Sequence, residues 1–466
     1  MLFAKCCEMI QLQGVTYAYS DSALPALQEI DLTVPDGQWL LLAGPSGGGK
    51  STLLYLVNGL IPHVLGGEKQ GSVQVNGVVP ADVPLRELSR QVGTVFQNPE
   101  SQLFMLRVHE DVAFGCENLG LPPAETHSRV KQALGRLSLT ALRDREVFSL
   151  SGGQKQRLAI AGALAMGCRT LLLDEPTSDL DESSRTELLA ALGDLHRAGH
   201  TIIMTEHRLE GLERMVDRVV TVEKGRIVSD GPFPLEKPLP LRKPIRAGED
   251  AVPLVELRDV TFAYPGRIST LEQLSLRLRA GEVVAIVGPN GSGKTTLLKL
   301  LCGLLIASGG RMVITGDERP TISNLVGRVG FLFQNPDEQL FTDTVIEEIA
   351  FGPRNLGRPV DADRYLERLG LSHYRNEHPR SLSRGERQRL AAATVLAMRP
   401  SLILLDEPTT GLDRQAWTAL MEFVVEEAGN CGACVVFSTH HHEVVETFAG
   451  REITLLQGKI VNDRLL

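Results

Sequence analysis

No stretch of this chain approaches 18 consecutive apolar residues, so nothing in it is expected to span a bilayer, and any membrane contact is expected to be peripheral. Residues 1–10 carry Lys5 and Glu8 in a short apolar stretch and lack the long apolar region of a signal peptide, which points to a cytoplasmic protein. A basic excess is missing too. Lys and Arg number 48 against 57 Asp and Glu, a net charge of -9, which argues against a sequence-independent nucleic-acid binder with its broad basic face. Nor is there a disulfide framework. Cys6, Cys7, Cys116, Cys168, Cys302, Cys431 and Cys434 are odd in number and scattered. Cys431 and Cys434 have C-x-x-C spacing, but no second ligand pair accompanies them, and Cys434 reads as the start of a buried strand.

What the chain does have is two copies of G-x-x-x-x-G-K-[ST]. They are Gly44-Pro45-Ser46-Gly47-Gly48-Gly49-Lys50-Ser51 and Gly288-Pro289-Asn290-Gly291-Ser292-Gly293-Lys294-Thr295. Each follows an apolar strand-like run (39–43, 283–287) and opens a helix-like run (51–60, 295–304), the context in which a phosphate loop is credible. Glycines let backbone N–H groups close around phosphate oxygens, and a helix N-terminus adds a favourable field for an anion. Lys50 and Lys294 are placed to reach the β- and γ-phosphates. Ser51 and Thr295 are candidate Mg²⁺ ligands, and Thr52 and Thr296 follow them as further nucleotide contacts.

The repetition continues downstream in the same order. Val95-Phe96-Gln97-Asn98-Pro99 matches Leu332-Phe333-Gln334-Asn335-Pro336, and both run on to Gln-Leu-Phe. Leu150-Ser151-Gly152-Gly153-Gln154 matches Leu382-Ser383-Arg384-Gly385-Glu386, and Leu173-Asp174-Glu175-Pro176-Thr177 matches Leu405-Asp406-Glu407-Pro408-Thr409. The chain therefore reads as two homologous domains, 1–230 and 254–466, joined by a Pro-rich linker, 231–253. Apolar strand-like runs at 39–43, 92–96, 170–173 and 201–204 alternate with helix-like runs, which predicts an α/β fold with a mainly parallel sheet. The segment between Gln97 and Ser151 reads mostly helical, for example 125–142, and predicts a separate helical lobe in each half.

Each motif suits one part of a nucleotide hydrolase. Asp174 and Asp406 end apolar strands and can order Mg²⁺ and its waters; Glu175 and Glu407 can polarise the attacking water. Gln97 and Gln334 follow strands, where an amide can contact Mg²⁺ or water. Ser151 and Gly153, with Ser383 and Gly385, precede helices whose free N–H groups suit a γ-phosphate. His207 and His440 end strands at matching positions, and that alignment selects His440 from the triple His440-His441-His442. Tyr19 and Tyr264 sit on matching early strands and are candidates to stack on adenine.

This ordered set resembles the ATP-binding cassette (ABC) family over nearly the whole chain. In family terms it comprises Walker A, Q-loop, LSGGQ signature, Walker B, D-loop (Ser178-Asp179-Leu180-Asp181 and Thr410-Gly411-Leu412-Asp413) and switch histidine. The resemblance implies two P-loop cassettes, each with a mainly parallel sheet core, an antiparallel β part and a helical subdomain. It also implies that each ATP is bound between one Walker A and the other cassette's signature, an intramolecular pair in place of a heterodimer. Gln97-Asn98-Pro99-Glu100-Ser101-Gln102-Leu103-Phe104 and Gln334-Asn335-Pro336-Asp337-Glu338-Gln339-Leu340-Phe341 are similar to the Q-loop of energy-coupling factor (ECF) ATPases. That narrower resemblance implies a transmembrane coupling subunit, a small substrate-binding membrane protein, uptake of a vitamin, vitamin precursor or cobalt or nickel ion, and a place on the cytoplasmic face of the membrane. The departure from pattern is the second signature, with Arg384 for Gly152 and Glu386 for Gln154, which predicts unequal ATP sites; Glu386 is expected to hold Arg384 away from the nucleotide. A fused sugar-importer ATPase and a soluble two-cassette translation factor are the alternatives. The repeated Asn-Pro-x-x-Gln-Leu-Phe argues against the first and the short Pro-rich linker against the second.

Overall fold

The computed structural model describes residues 9–20, 22, 24–178, 180–233, 253–266 and 270–466. It divides into two compact units, Met1–Glu236 and Lys237–Leu466. The strands of the first are β1 (Met9–Tyr19), β2 (Leu27–Pro35), β3 (Trp39–Ala43), β4 (Gly67–Val75), β5 (Val92–Val95), β6 (Thr170–Asp174), β7 (Thr201–Thr205), β8 (Arg218–Glu223) and β9 (Arg226–Gly231). They form an antiparallel sheet of order β2-β1-β4 and a six-stranded sheet of order β5-β6-β7-β3-β8-β9. The larger sheet is parallel apart from its edge strand β9.

Every residue of β3, β6 and β7 is buried. A parallel strand covered on both faces is apolar through its middle, with polar residues kept to its ends, which is why these runs read so clearly in the sequence. Alternate residues serve different cores. Leu40 and Leu42 join the antiparallel sheet and the helix Lys50–Val57. Trp39 and Leu41 join a helical layer built from Val108–Asn118, Pro123–Arg136 and Gly152–Met166.

The second unit repeats the plan with β10 (Pro253–Phe262), β11 (Leu271–Arg279), β12 (Val283–Val287), β13 (Gly309–Ile314), β14 (Val329–Leu332), β15 (Leu402–Asp406), β16 (Cys434–Ser438), β17 (Arg451–Leu456) and β18 (Lys459–Leu465). Its sheets have the orders β11-β10-β13 and β14-β15-β16-β12-β17-β18. Its helical layer contains Val345–Asn355, Ala362–Arg368 and Arg384–Ala397. The expected α/β fold with a helical lobe in each half is therefore present twice.

Several element boundaries differ from the sequence reading. The helices expected over 51–60 and 295–304 end at Val57 and Leu301. Gly59 and Gly303 follow with φ of 77° and 76°, a left-handed turn that stops an α-helix. The helix expected over 125–142 runs from Pro123 to Arg136, and a separate 3-10 turn covers Thr140–Leu142. Of the expected linker, Gly231 belongs to β9 and Pro253 to β10, while 234–252 lie outside the described residues. Among the described residues no helix is long and apolar enough to cross a membrane. The described cysteines are free; Cys434 is buried in β16, as read, and Cys6 and Cys7 lie outside the described residues.

Candidate functional site

Each glycine loop links the central strand of the large sheet to a helix, with its tip (Ser46 and Gly47; Asn290 and Gly291) in solvent. Its backbone is set by close approaches that admit no side chain. A Cβ on Gly44 would lie 2.1 Å from the Val222 carbonyl oxygen, and one on Gly288 would lie 2.1 Å from that of Leu455. Gly49 and Gly293, at φ of 106° and 105°, turn the chain into the helices. Gly48 and Ser292 are buried beneath the loop tips. Lys50 and Lys294 fold back under the loops. The Lys50 ammonium donates to the carbonyls of Gly44 (2.8 Å) and Pro45 (2.9 Å), and Lys294 donates to Gly288 (2.8 Å) and Pro289 (3.2 Å).

The strand-end acids come to these loops. Ser51 Oγ donates to Asp174 Oδ1 at 3.1 Å, and Thr295 hydrogen-bonds Asp406 in the same way. Burial raises the pKa of both aspartates above the usual carboxylate value, against the lowering effect of these hydroxyls. Two further hydroxyls, unnoticed in the sequence, complete the arrangement. Thr205 Oγ1 donates to Asp174 Oδ1 (2.6 Å) and accepts from the Glu175 N–H (2.9 Å). Ser438 Oγ does the same for Asp406 (2.7 Å) and Glu407 (2.9 Å). The cross-strand registers Asp174↔Thr205 and Asp406↔Ser438 put them there.

Glu175 and Glu407 both adopt φ of 47°, a left-handed backbone that a non-glycine residue takes at a cost of roughly 1–3 kcal/mol. The turn aims each carboxylate at its histidine: His207 Nε2 lies 2.8 Å from Glu175 Oε1, and His440 Nδ1 lies 3.0 Å from Glu407 Oε2. The two sites then diverge. Gln97 Nε2 donates to Glu175 Oε2 at 2.9 Å, whereas Gln334 is exposed and Glu407 lies 4.0 Å from the Lys294 ammonium. Burial would raise the Glu407 pKa, but His440, 3.0 Å away, and Lys294 outweigh it and hold the group below its usual value. Behind Glu175, the buried Glu206 accepts from the Thr177 N–H at 2.9 Å; the second unit has Thr439 there.

Tyr19 and Tyr264 are half-buried beside the loop helices, with hydroxyls 3.0 Å from Thr52 Oγ1 and 3.4 Å from Thr296 Oγ1. The signature serines each cap a helix. Ser151 Oγ accepts from the Gln154 N–H, and Gln154 returns its side chain to the Ser151 N–H at 3.0 Å. Ser383 and Glu386 form the same reciprocal cap, at 2.8 Å for the return bond. The expectation that Glu386 serves to hold Arg384 away therefore needs correcting: its carboxylate is engaged by Ser383 and Tyr374, which keep its pKa low against burial. Arg384 lies along Gly411 of the same unit. Gly153 packs on Ser184, and Gly385 on Leu412.

The loop after each glutamine is fastened at its far end. Asp111 accepts from the Phe104 and Met105 N–H groups (2.8 and 3.0 Å), and Glu348 accepts from Phe341 and Thr342 (2.9 and 2.7 Å). The tethered turn leaves Phe104 and Phe341 exposed, at 68% and 67%, each beside a helix phenylalanine, Phe114 or Phe351. In the first unit a groove of about 370 Å³ opens beside this tip, walled by Arg86, Gln102, Leu103, Phe114 and Met166.

A glycine loop over a buried lysine, a hydroxyl–aspartate contact and a glutamate facing a histidine define a phosphate-loop nucleotide-binding domain, present twice. The ABC transporter family profile matches residues 27–178 and 271–410. A protein of Methanosarcina acetivorans described as an ABC transporter ATP-binding protein is 38% identical, covering 97% of this chain and 85% of its own length. One of Vibrio parahaemolyticus with the same description is 33% identical over 97% of this chain and 88% of its own. Among solved structures, CbiO1 of Clostridium perfringens, described as part of the ABC transporter complex CbiONQ, is 33% identical with a TM-score of 0.45, covering 48% of this chain and 88% of that one. The chain belongs to the ABC transporter family, carries two of its cassettes, and is an ATP-binding ATPase.

Proposed function

We propose that this chain is the ATP-hydrolysing subunit of an ABC importer of the ECF type, with cassettes at 1–230 and 254–466, working at the cytoplasmic face of the membrane. Its partners are then a transmembrane coupling subunit and a small membrane protein that binds a vitamin, a vitamin precursor or a transition-metal ion. Lys50 and Lys294, with the loop N–H groups of residues 44–52 and 288–296, hold the ATP phosphates, and Tyr19 and Tyr264 flank the base. Glu175 and Glu407 take the proton of the attacking water, held in position by His207 and His440. Gln97 reports on that carboxylate directly, which makes it the natural link between hydrolysis and the loop tip. Ser151, Gly153, Ser383 and Gly385 contribute further γ-phosphate contacts through their helix N-termini.

Mg²⁺ fits the donor set. Ser51 with Asp174, and Thr295 with Asp406, pair a hydroxyl with a buried carboxylate whose proton affinity is raised, and a hard divalent cation suits such oxygens. When bound, Mg²⁺ neutralises charge developing on the phosphates.

The observation that carries the transport reading is the tethered, exposed phenylalanine at each loop tip. An aromatic held out of its own core by backbone bonds to a helix acid is a surface for an apolar helix. Cysteines placed at 104 and 341 should cross-link to a small hydrophobic membrane protein that purifies with the chain from membranes. Cross-links confined to the chain itself would count against a membrane partner.

A further inference from the structure

Two ion pairs outside the nucleotide site occur at the same place in both cassettes. Lys155 Nζ lies 2.5 Å from Glu100 Oε1, and Arg387 Nε lies 2.7 Å from Asp337 Oδ1. The acids stand in the 3-10 turns Pro99–Gln102 and Pro336–Glu338, which follow Gln97 and Gln334. The bases are the fourth residues of the signature helices Gly152–Met166 and Arg384–Ala397. We infer that Glu100–Lys155 and Asp337–Arg387 are positioning pairs that fasten the glutamine loop to the signature helix, so that displacement of one carries the other.

Three observations support this. Both members differ between the halves, yet the charges are kept, the acid one methylene shorter where the base is the longer arginine. A cation one turn inside a helix N-terminus opposes the helix dipole, so an unneutralised base there is unfavourable. The acids are more than half exposed, and such pairs contribute at most about 1 kcal/mol to stability, too little to explain the arrangement as a fold requirement. The cassettes also differ in a second tie. Gln339 Nε2 reaches Thr394 Oγ1 of the signature helix at 3.1 Å, whereas Gln102 turns back to the Thr94 carbonyl at 3.0 Å. The first cassette therefore depends more heavily on its ion pair.

The proposal rests on the reading of Gln97 and the signature serines as nucleotide-linked. It is tested on the full chain by kcat and KM for Mg²⁺-ATP together with the melting temperature. Glu100→Lys and Lys155→Glu should each lower kcat about fivefold or more, the scale of one charge-pair coupling, with KM and melting temperature near wild type. The double reversal should recover to within about twofold, as should the Asp–Arg pair placed at 100 and 155. The corresponding reversals at 337 and 387 should act more weakly. Unchanged kcat in the single variants, a double variant no better than either single, or a melting temperature that falls in step with kcat would each overturn the proposal. A wild-type chain without Mg²⁺-dependent hydrolysis would instead sink the functional reading itself.

Discussion

Thr205 and Ser438 each serve two acids with one oxygen, donating to the aspartate and accepting from the backbone of the glutamate that follows. The strained glutamate backbone is held by that bond, and Thr205 and Ser438 are both fully buried. Thr205→Val leaves Asp174 Oδ1 with Ser51 as its remaining donor and removes the hydroxyl acceptor of the Glu175 N–H, and kcat should fall about tenfold or more. Thr205→Ser, which installs the second cassette's residue, should stay near wild type; steady-state ATPase rates of the two variants check this. A valine variant as active as the serine variant would remove the hydroxyl from the account. Neither residue announced itself in the sequence. A Thr or Ser at the end of an apolar run has no distinctive spacing, and its partner is fixed only by strand register. Lys50, Asp174, Glu175 and His207 were legible because backbone chemistry dictates their spacing or because the second half repeats them. The divergence of Gln97 from Gln334 was not legible, since it depends on where an identical side chain points.

At the scale of elements, the central strands were readable because burial on both faces keeps their middles apolar and confines polar residues to their ends. The helix ends were not, because a left-handed glycine stops a helix without altering the hydrophobic pattern before it. The signature helix shows the same limit. Glu386 departs from the family motif as a letter but performs the cap that Gln154 performs. Glu386→Gln should therefore leave stability nearly unchanged, whereas Glu386→Ala should cost about 0.5–2 kcal/mol, the usual value of such a cap. Thermal unfolding of the two variants decides this. A glutamine variant as unstable as the alanine variant would show that the negative charge, not the cap, is what the second cassette needs.

Across the whole molecule, two cassettes of one plan carry unequal surroundings for the same reaction. Glu175 is held between Gln97 and His207; Glu407 lies between His440 and Lys294, which favour its ionised form. Both glutamates nonetheless share one backbone conformation and one histidine contact, and under the proposed function both work as bases. The most direct test is Mg²⁺-dependent ATP turnover by the full chain carrying Glu175→Gln and Glu407→Gln together. Turnover at least about a hundredfold below wild type, with ATP binding retained, is the predicted result, on the scale of losing a general base. Turnover close to wild type in that double variant would contradict it.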